Sequence, residues 1–311
     1  ISLTQEGTDR VRISGTRGEA PPSTLKVTAN LNGGWRNSMT LAITGALPTQ
    51  KAAMAAEAVW GGIPGGAAGF AETAEDLSGD LTGGGMAFLR LAVRGDDEQA
   101  VGRAFSGAVV ETSLSSYPGT FFTSAPSNAQ AVARYWPTLI EAAEVSPVVI
   151  CDGQPIAVSP RTIEFPTPEV PVAPFQTSTP ELVITDTVSV PLWVLVGGRS
   201  GDKGGAANVG LWADTDEVAE WLQQHFDIAL FRQLLPEADA FEVERYALPN
   251  LRALNFMVRG ILGWGVASNL RLDTQAKGLA ELIRSRNVDV PVSFVQQGNP
   301  ASRWASAGAN L

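Results

Sequence analysis

Arg199, Asp202 and Lys203 lie close together in the stretch Gly197-Gly198-Arg199-Ser200-Gly201-Asp202-Lys203-Gly204-Gly205-Ala206-Ala207-Asn208-Val209-Gly210, a spacing suited to capturing an anion. Glycine permits positive φ and lets a ligand approach the main chain, and successive amides of such a loop can converge on negative charge. Arg199 and Lys203 would reinforce that concavity, while Asp202 would orient them or take a proton. The alternative is an ordinary strand connection whose charges are solvated turn residues. Two nucleotide-binding patterns are excluded by spacing. A phosphate-binding Walker loop needs glycine directly before the lysine and Ser or Thr after it, whereas Asp202 and Gly204 flank Lys203. A dinucleotide fingerprint needs a helix directly after the glycines, and Val209-Gly210-Leu211-Trp212-Ala213 reads as a strand.

Asn250 and Asn255, further along, belong to the same candidate ligand-binding set as Arg199, Ser200, Gly201, Gly204 and Asn208. Asn250 follows Pro249 and also suits a turn or cap. Asn255 stands in Leu254-Asn255-Phe256-Met257-Val258, where a buried amide must find partners. It either ties the glycine-rich loop down or faces a ligand.

Several elements must position these residues. In the second half, strands are expected over 191–197 and 207–213 around the loop, helices over 215–225 and 228–235, and a strand over 240–247. A Pro-Asn turn then leads into 251–262, followed by a strand over 269–272 and a helix over 274–286. Asp214, Thr215 or Asp216 can cap the first helix and Asp273 the last. In the first half, alternation predicts strands over 10–14, 24–30 and 38–44, an antiparallel meander turning at Gly33-Gly34. A helix with Pro48 near its start is expected over 48–60, stopped by Gly61-Gly62. A strand over 86–94 and a helix over 98–109, capped by Asp96 or Asp97, complete it, with 61–85 left as a long loop, functional or disordered. Closely spaced prolines from Pro160 to Pro180 suit neither helix nor central strand. The expected division is therefore an α+β domain over 1–158, a proline-rich linker over 159–189, a second sheet-plus-helix domain over 190–290 and a tail over 291–311.

With 311 residues, 44% of them hydrophobic and 17% charged, the chain can bury a sizeable core, and two domains fit its length. A net charge of −10 and no Lys/Arg cluster argue against a nucleic-acid surface. No apolar run approaches the roughly 20 residues that span a bilayer, and no signal-peptide pattern opens the chain, so the expected setting is cytoplasmic and off the membrane. The single cysteine, Cys151, ends an apolar strand and reads as a buried inert thiol. The single histidine, His225, reads as a helix C-terminal residue. One of each rules out a Cys/His zinc site within the chain. Asp76, Asp80, Asp96 and Asp97 are metal candidates only by type, and neither metal nor cofactor is assigned. Tyr117, Trp193, Trp212 and Trp221 fit core or turn roles better than a ligand platform.

Three motifs carry a resemblance. They are Arg199-Ser200-Gly201-Asp202-Lys203-Gly204 with Asn208-Val209-Gly210, Tyr246-Ala247-Leu248-Pro249-Asn250-Leu251-Arg252-Ala253-Leu254-Asn255-Phe256, and Leu270-Arg271-Leu272-Asp273-Thr274-Gln275-Ala276-Lys277-Gly278. Together they resemble the C-terminal, ferredoxin-fold-like region of the acyclic terpene utilisation (AtuA-like) proteins. Upstream, Ser14-Gly15-Thr16-Arg17-Gly18, Leu25-Lys26-Val27 and Gly33-Gly34-Trp35-Arg36-Asn37 are similar to the later part of that family's N-terminal region. The resemblance implies a ferredoxin-like C-terminal domain, a further α/β segment ahead of Ile1, so that the chain is a fragment or a shortened member, and breakdown of acyclic terpenes or branched acyl groups.

On this resemblance the substrate is a small anion such as a CoA ester, with a 3-hydroxy-3-methylglutaryl-type acyl-CoA as the example. Its carbon–carbon cleavage needs a base and enolate stabilisation. Asp202 and Lys203 are then the catalytic candidates, with Arg199 and the loop amides stabilising charge. The alternative is a non-catalytic assembly or anion-binding module whose chemistry lies in an N-terminal segment or a second chain. A homo-oligomer, or association with such a partner, is expected.

Overall fold

A computed structural model describes residues 2–16, 18, 21–158 and 186–296. Most of the expected linker and tail lie outside these residues. Contacts divide the chain into a unit of Ile1–Ala29 with Pro137–Pro174 and a unit of Asn30–Trp136 with Phe175–Leu311.

In chain order the elements begin with β1 (Ser2–Gly7), β2 (Arg10–Ser14), β3 (Thr24–Thr44), α1 (Pro48–Gly61), β4 (Glu72–Gly79), β5 (Met86–Gly95) and α2 (Phe105–Glu111). There follow β6 (Thr120–Phe122), β7 (Gln130–Glu141), β8 (Val148–Cys151), β9 (Gln154–Ala157), β10 (Thr187–Pro191), β11 (Val196–Lys203) and β12 (Ala206–Ala213). The last are α3 (Asp216–His225), α4 (Ile228–Leu234), β13 (Glu242–Leu248), β14 (Ala253–Arg259), α5 (Leu279–Arg284), β15 (Asn287–Pro291) and α6 (Val292–Val295).

The first unit contains the hairpins β1–β2 and β8–β9. Their side chains are exposed throughout, Leu3, Val11, Ile13 and Ile150 among them. Cys151 is also exposed, at the end of β8, which corrects the expectation of a buried thiol: a two-stranded hairpin has no second layer to cover it.

The second unit contains two larger sheets. One has the order β4-β5-β3-β6, with β7 also paired to β3. Residues expected as two strands and a turn form the single strand β3. Gly34, at φ +81°, lies inside it, and a Cβ there would stand 2.6 Å from the Gly95 carbonyl oxygen. A Cβ at Gly33 would stand 3.0 Å from that of Val132. The glycine pair lets β5 and β7 approach β3 from both sides, a packing role that the sequence signal cannot distinguish from a turn. Part of the expected 61–85 loop, Glu72–Gly79, is strand β4, paired to β5 along its length. Alternate residues Met39, Leu41, Ile43, Leu89, Leu91 and Val93 pack with Ala55, Val59, Phe105 and Val109 of the helices. Pro48 starts α1 as expected, and Asp97 caps the turn before α2 by accepting from the Gln99 amide at 2.8 Å. Tyr117 is buried and donates to the Thr112 carbonyl, the core role.

The other sheet has the order β11-β12-β14-β13, antiparallel throughout. Val209, Leu211, Leu254, Phe256 and Val258 point to one face, where they pack with Trp221, Leu222, Phe231, Ala280 and Ile283 of the helices. Thr215 caps α3, and His225 ends it, its Nδ1 3.2 Å from the Trp221 carbonyl oxygen. The expected strand over 269–272 is irregular chain, and the expected helix over 274–286 is confined to α5. Asp273 instead accepts from the Lys277 and Gly278 amides ahead of that helix. Residues 187–189, expected as the end of the linker, belong to β10, which pairs with β15. The fold class is α+β, with a ferredoxin-like C-terminal region.

Candidate functional site

The glycine-rich stretch is a hairpin and not an open loop. β11 runs through Lys203 and turns at Gly204-Gly205 into β12, with Arg199 opposite Gly210 and Lys203 opposite Ala206. Amides along an extended strand point alternately to either side, so those of residues 199–203 cannot converge on one anion, which corrects the anion-binding concavity expected there. The diglycine serves packing. Gly204 has φ +65°, and a Cβ on Gly205 would stand 2.3 Å from the Gly263 carbonyl oxygen. The Leu262 amide donates to the Gly205 carbonyl at 3.0 Å. The turn is thus the seat of the segment that follows β14.

Strand alternation separates the expected site residues. Arg199, Gly201, Lys203, Asn208 and Asn255 share the sheet face opposite the helices, and the Asn208 amide donates to the Asn255 oxygen at 3.2 Å. Ser200 points to the helix face, where its hydroxyl donates to the Lys277 carbonyl and accepts from the Ala280 amide. Asp202 shares that side, with Oδ1 3.6 Å from Lys277 Nζ. Lys203 Nζ is exposed and donates to the Asp202 carbonyl. Asn250 stands apart in the exposed turn Pro249–Leu251. On the same face as Arg199, the Tyr246 hydroxyl and the Arg259 guanidinium both donate to Glu244. Arg259 first, then Tyr246, holds the Glu244 carboxyl below its usual range, and Glu244 in turn pushes the Tyr246 phenol up.

A pocket that the spacing of charges did not disclose lies on the polar face of the five-stranded sheet. That face carries Arg36, Ser38, Arg90 and Arg94, because these alternate with the buried residues of β3 and β5. The segment after β14 covers it. Trp264 sits between the guanidiniums of Arg94 and Arg134, 4.5 and 4.4 Å from its ring centroid, the Tyr135 amide donates to the Trp264 carbonyl, and Arg90 donates to the Leu270 carbonyl at 2.9 Å. Beneath it is a cavity of about 220 Å³. Its lining comprises Arg36, Asn37 and Ser38 of β3, Arg90 of β5, and Ser127 and Gln130 from the chain leading into β7. Asn269, Leu270, Arg271, Leu272 and Thr274 of the covering segment close it.

The polar groups of this lining divide sharply into spent and unspent. Asn37 donates to the Val101 and Ser127 carbonyls and accepts from the Ser127 hydroxyl. Asn269 donates to the Gly265 and Thr274 carbonyls and accepts from the Arg271 amide. Arg90 is paired with Asp76 at 2.7 Å, and Arg271 with Glu237. Arg36 has no ion pair or hydrogen bond among the described residues, and it stands directly across the strand pair from Arg94, a like-charge opposition that costs stability unless compensated. Arg94 has Glu72 at 2.9 Å. Arg271 Nε is buried without a partner among the described residues. What remains for a ligand is chiefly the Arg36 fork, with the Ser38 and Thr274 hydroxyls and the Gln130 amide able to donate beside it, and the lining residues include no carboxylate. Such a set binds an acceptor-only group, an anion.

Two of the noted motifs meet here, Gly33-Gly34-Trp35-Arg36-Asn37 and Leu270-Arg271-Leu272-Asp273-Thr274. Their convergence was the available signal, although they lie over 230 residues apart in the chain. Asp76 and Asp80 are structural: the first pairs with Arg90, and the second accepts from the Thr82 amide and hydroxyl, which holds its carboxyl below the usual range. No described helix is long and apolar enough to cross a membrane.

No curated protein and no solved structure matches the chain. Residues 1–151 match the acyclic terpene utilisation family protein AtuA, and residues 190–289 match the AtuA ferredoxin-like domain. On these two matches, the chain belongs to the acyclic terpene utilisation family AtuA.

Proposed function

We propose that this chain serves acyclic terpene utilisation by holding an anionic group of a branched acyl thioester in the arginine-lined pocket. The observation that carries the reading is the imbalance of the lining, where the amide groups of Asn37 and Asn269 are internally satisfied while Arg36 is unpartnered among the described residues. At about 220 Å³, the cavity falls below the roughly 300–1,000 Å³ of pockets that enclose drug-sized ligands. It accommodates one end of a substrate and not a whole CoA ester.

A 3-hydroxy-3-methylglutaryl-type acyl-CoA meets that description, and its cleavage would make the chain part of a lyase. Asp202 is the base in this reading. Supporting it, Lys277 beside Asp202 ends the same segment whose earlier residues line the pocket. A second reading, an anion-binding module whose catalytic groups come from another segment or chain, is favoured by the lining itself, which offers guanidinium, amide, hydroxyl and alkyl groups and no general base.

The test is turnover of 3-hydroxy-3-methylglutaryl-CoA by the full chain, followed by the formation of acetoacetate and acetyl-CoA, together with binding, followed by calorimetry. As a lyase, the wild type turns over, Asp202→Asn loses activity by about 10²–10⁴-fold with unchanged native mass, and Arg36→Gln raises KM. Binding without turnover, abolished by Arg36→Gln, selects the module. Absence of both turnover and binding overturns the proposal.

A further inference from the structure

We infer that the group this pocket takes is a carboxylate of the acyl chain and not a phosphate of CoA. The inference rests on the pocket being the anion site and adds which anion it selects. Three guanidiniums reach the cavity, but Asp76 and Glu237 already neutralise those of Arg90 and Arg271. One positive charge, on Arg36, is left in excess. A carboxylate carries one negative charge and matches it. A phosphate monoester carries about −1.5 to −2 at pH 7 and would leave uncompensated negative charge in a partly enclosed site.

Shape points the same way. The Arg36 fork can grip either anion bidentately, so the discrimination by shape falls to Leu270 and Leu272, which give the cavity an apolar wall for an alkyl branch. Such a wall stabilises a branched acyl carboxylate and gives nothing to a phosphate. The substrate class is therefore a short branched acid whose free carboxylate enters first, with the thioester end outside.

The experiment is calorimetry on the full chain at low ionic strength and pH 7, with 3-methylbutanoate and methyl phosphate as probes. The expected result is carboxylate affinity at least tenfold above phosphate affinity, lost in Arg36→Gln and partly kept in Arg36→Lys. Arg36 makes no bond among the described residues, so both variants should fold, and unfolding curves check this. Thr274→Val is the second variant, expected to weaken the carboxylate several-fold if the hydroxyl also donates. Equal affinity for the two probes, or phosphate preference, overturns the selectivity while leaving an anion site standing. Carboxylate binding unchanged in Arg36→Gln overturns it by moving the ligand elsewhere. Binding of neither probe overturns the pocket reading itself.

Discussion

The two large sheets both carry helices on one face, and they differ in what they do with the other. On the five-stranded sheet the second face bears Arg36, Arg90 and Arg94 and is roofed by the segment after β14, which leaves a cavity with unspent donors. On the four-stranded sheet the second face bears Arg199, Asn208, Asn255, Tyr246 and Glu244, and most of these polar groups satisfy one another. The glycine-rich motif that reads as an anion site belongs to the four-stranded sheet, yet the pocket belongs to the five-stranded one. Dense glycine marks where backbones come close, as Gly205 does under Gly263; the ligand site is marked by hydrogen-bonding capacity left over once the fold has taken its share.

If the open face of the four-stranded sheet is bare, adjacent residues of β14 must differ widely in worth. Phe256 is fully buried, stacked on Phe231 with centroids 4.4 Å apart and tilted against Phe226 at 5.7 Å. Phe256→Ala is expected to cost about 3–5 kcal/mol in urea unfolding, and Met257→Ala, one residue on and facing away, less than about 1 kcal/mol. A comparable loss at both positions would mean that a second body covers this face, and the contrast between the sheets would fail.

The asparagines provide a finer comparison. Asn37 is buried and joins β3 to the chain at Val101 and Ser127, so Asn37→Ala strands several buried groups and should cost about 2–3 kcal/mol, with anion affinity falling because Ser127 loses its anchor. Asn208→Ala touches only the pair with Asn255 and should stay within about 0.5 kcal/mol. Paired unfolding curves and titrations with 3-methylbutanoate decide it; a large effect of Asn208→Ala on anion binding would return the site to the glycine-rich hairpin.

Much of the ferredoxin-like region was legible because its elements are short and cleanly periodic. The capping candidates Asp214, Thr215 and Asp216 announced α3, which Thr215 caps, and the alternation in Val209-Gly210-Leu211-Trp212-Ala213 announced β12. Glycine was misread in both halves for a single reason. Gly33-Gly34 reads as a turn and Gly198 as part of a loop because local sequence reports permitted φ but not the neighbour that demands the missing Cβ. The 61–85 stretch hid β4 because Glu72 and Asp76 look solvated until Arg94 and Arg90 of β5 are placed beside them. The pocket was illegible for a related reason. Arg36 and Arg271 are ordinary surface arginines in one dimension, and only the seating of the 261–278 segment on the hairpin turn brings them to one cavity.

The smallest effect tests whether the open face is internally satisfied. Glu244 accepts from Arg259 at 2.9 Å and from Tyr246 at 2.7 Å, and these partners lower its carboxyl from the ordinary value of 4.5. A carboxylate whose folded pKa is depressed contributes stability that is fully present above the unfolded value and lost as pH falls through the folded one. Between pH 7 and 5 the contribution is therefore constant, and it declines only below about pH 4.5. Because the group is solvent-accessible, high salt should shrink the effect. Arg259→Gln removes the larger cause and should return the Glu244 titration, read by carboxyl carbon NMR, toward its ordinary value; Tyr246→Phe should do so by less. An ordinary Glu244 titration in the wild type would mean that Arg259 and Tyr246 are not engaged with it, leaving their donors unspent, and the four-stranded sheet would then present the same kind of surplus as the pocket around Arg36.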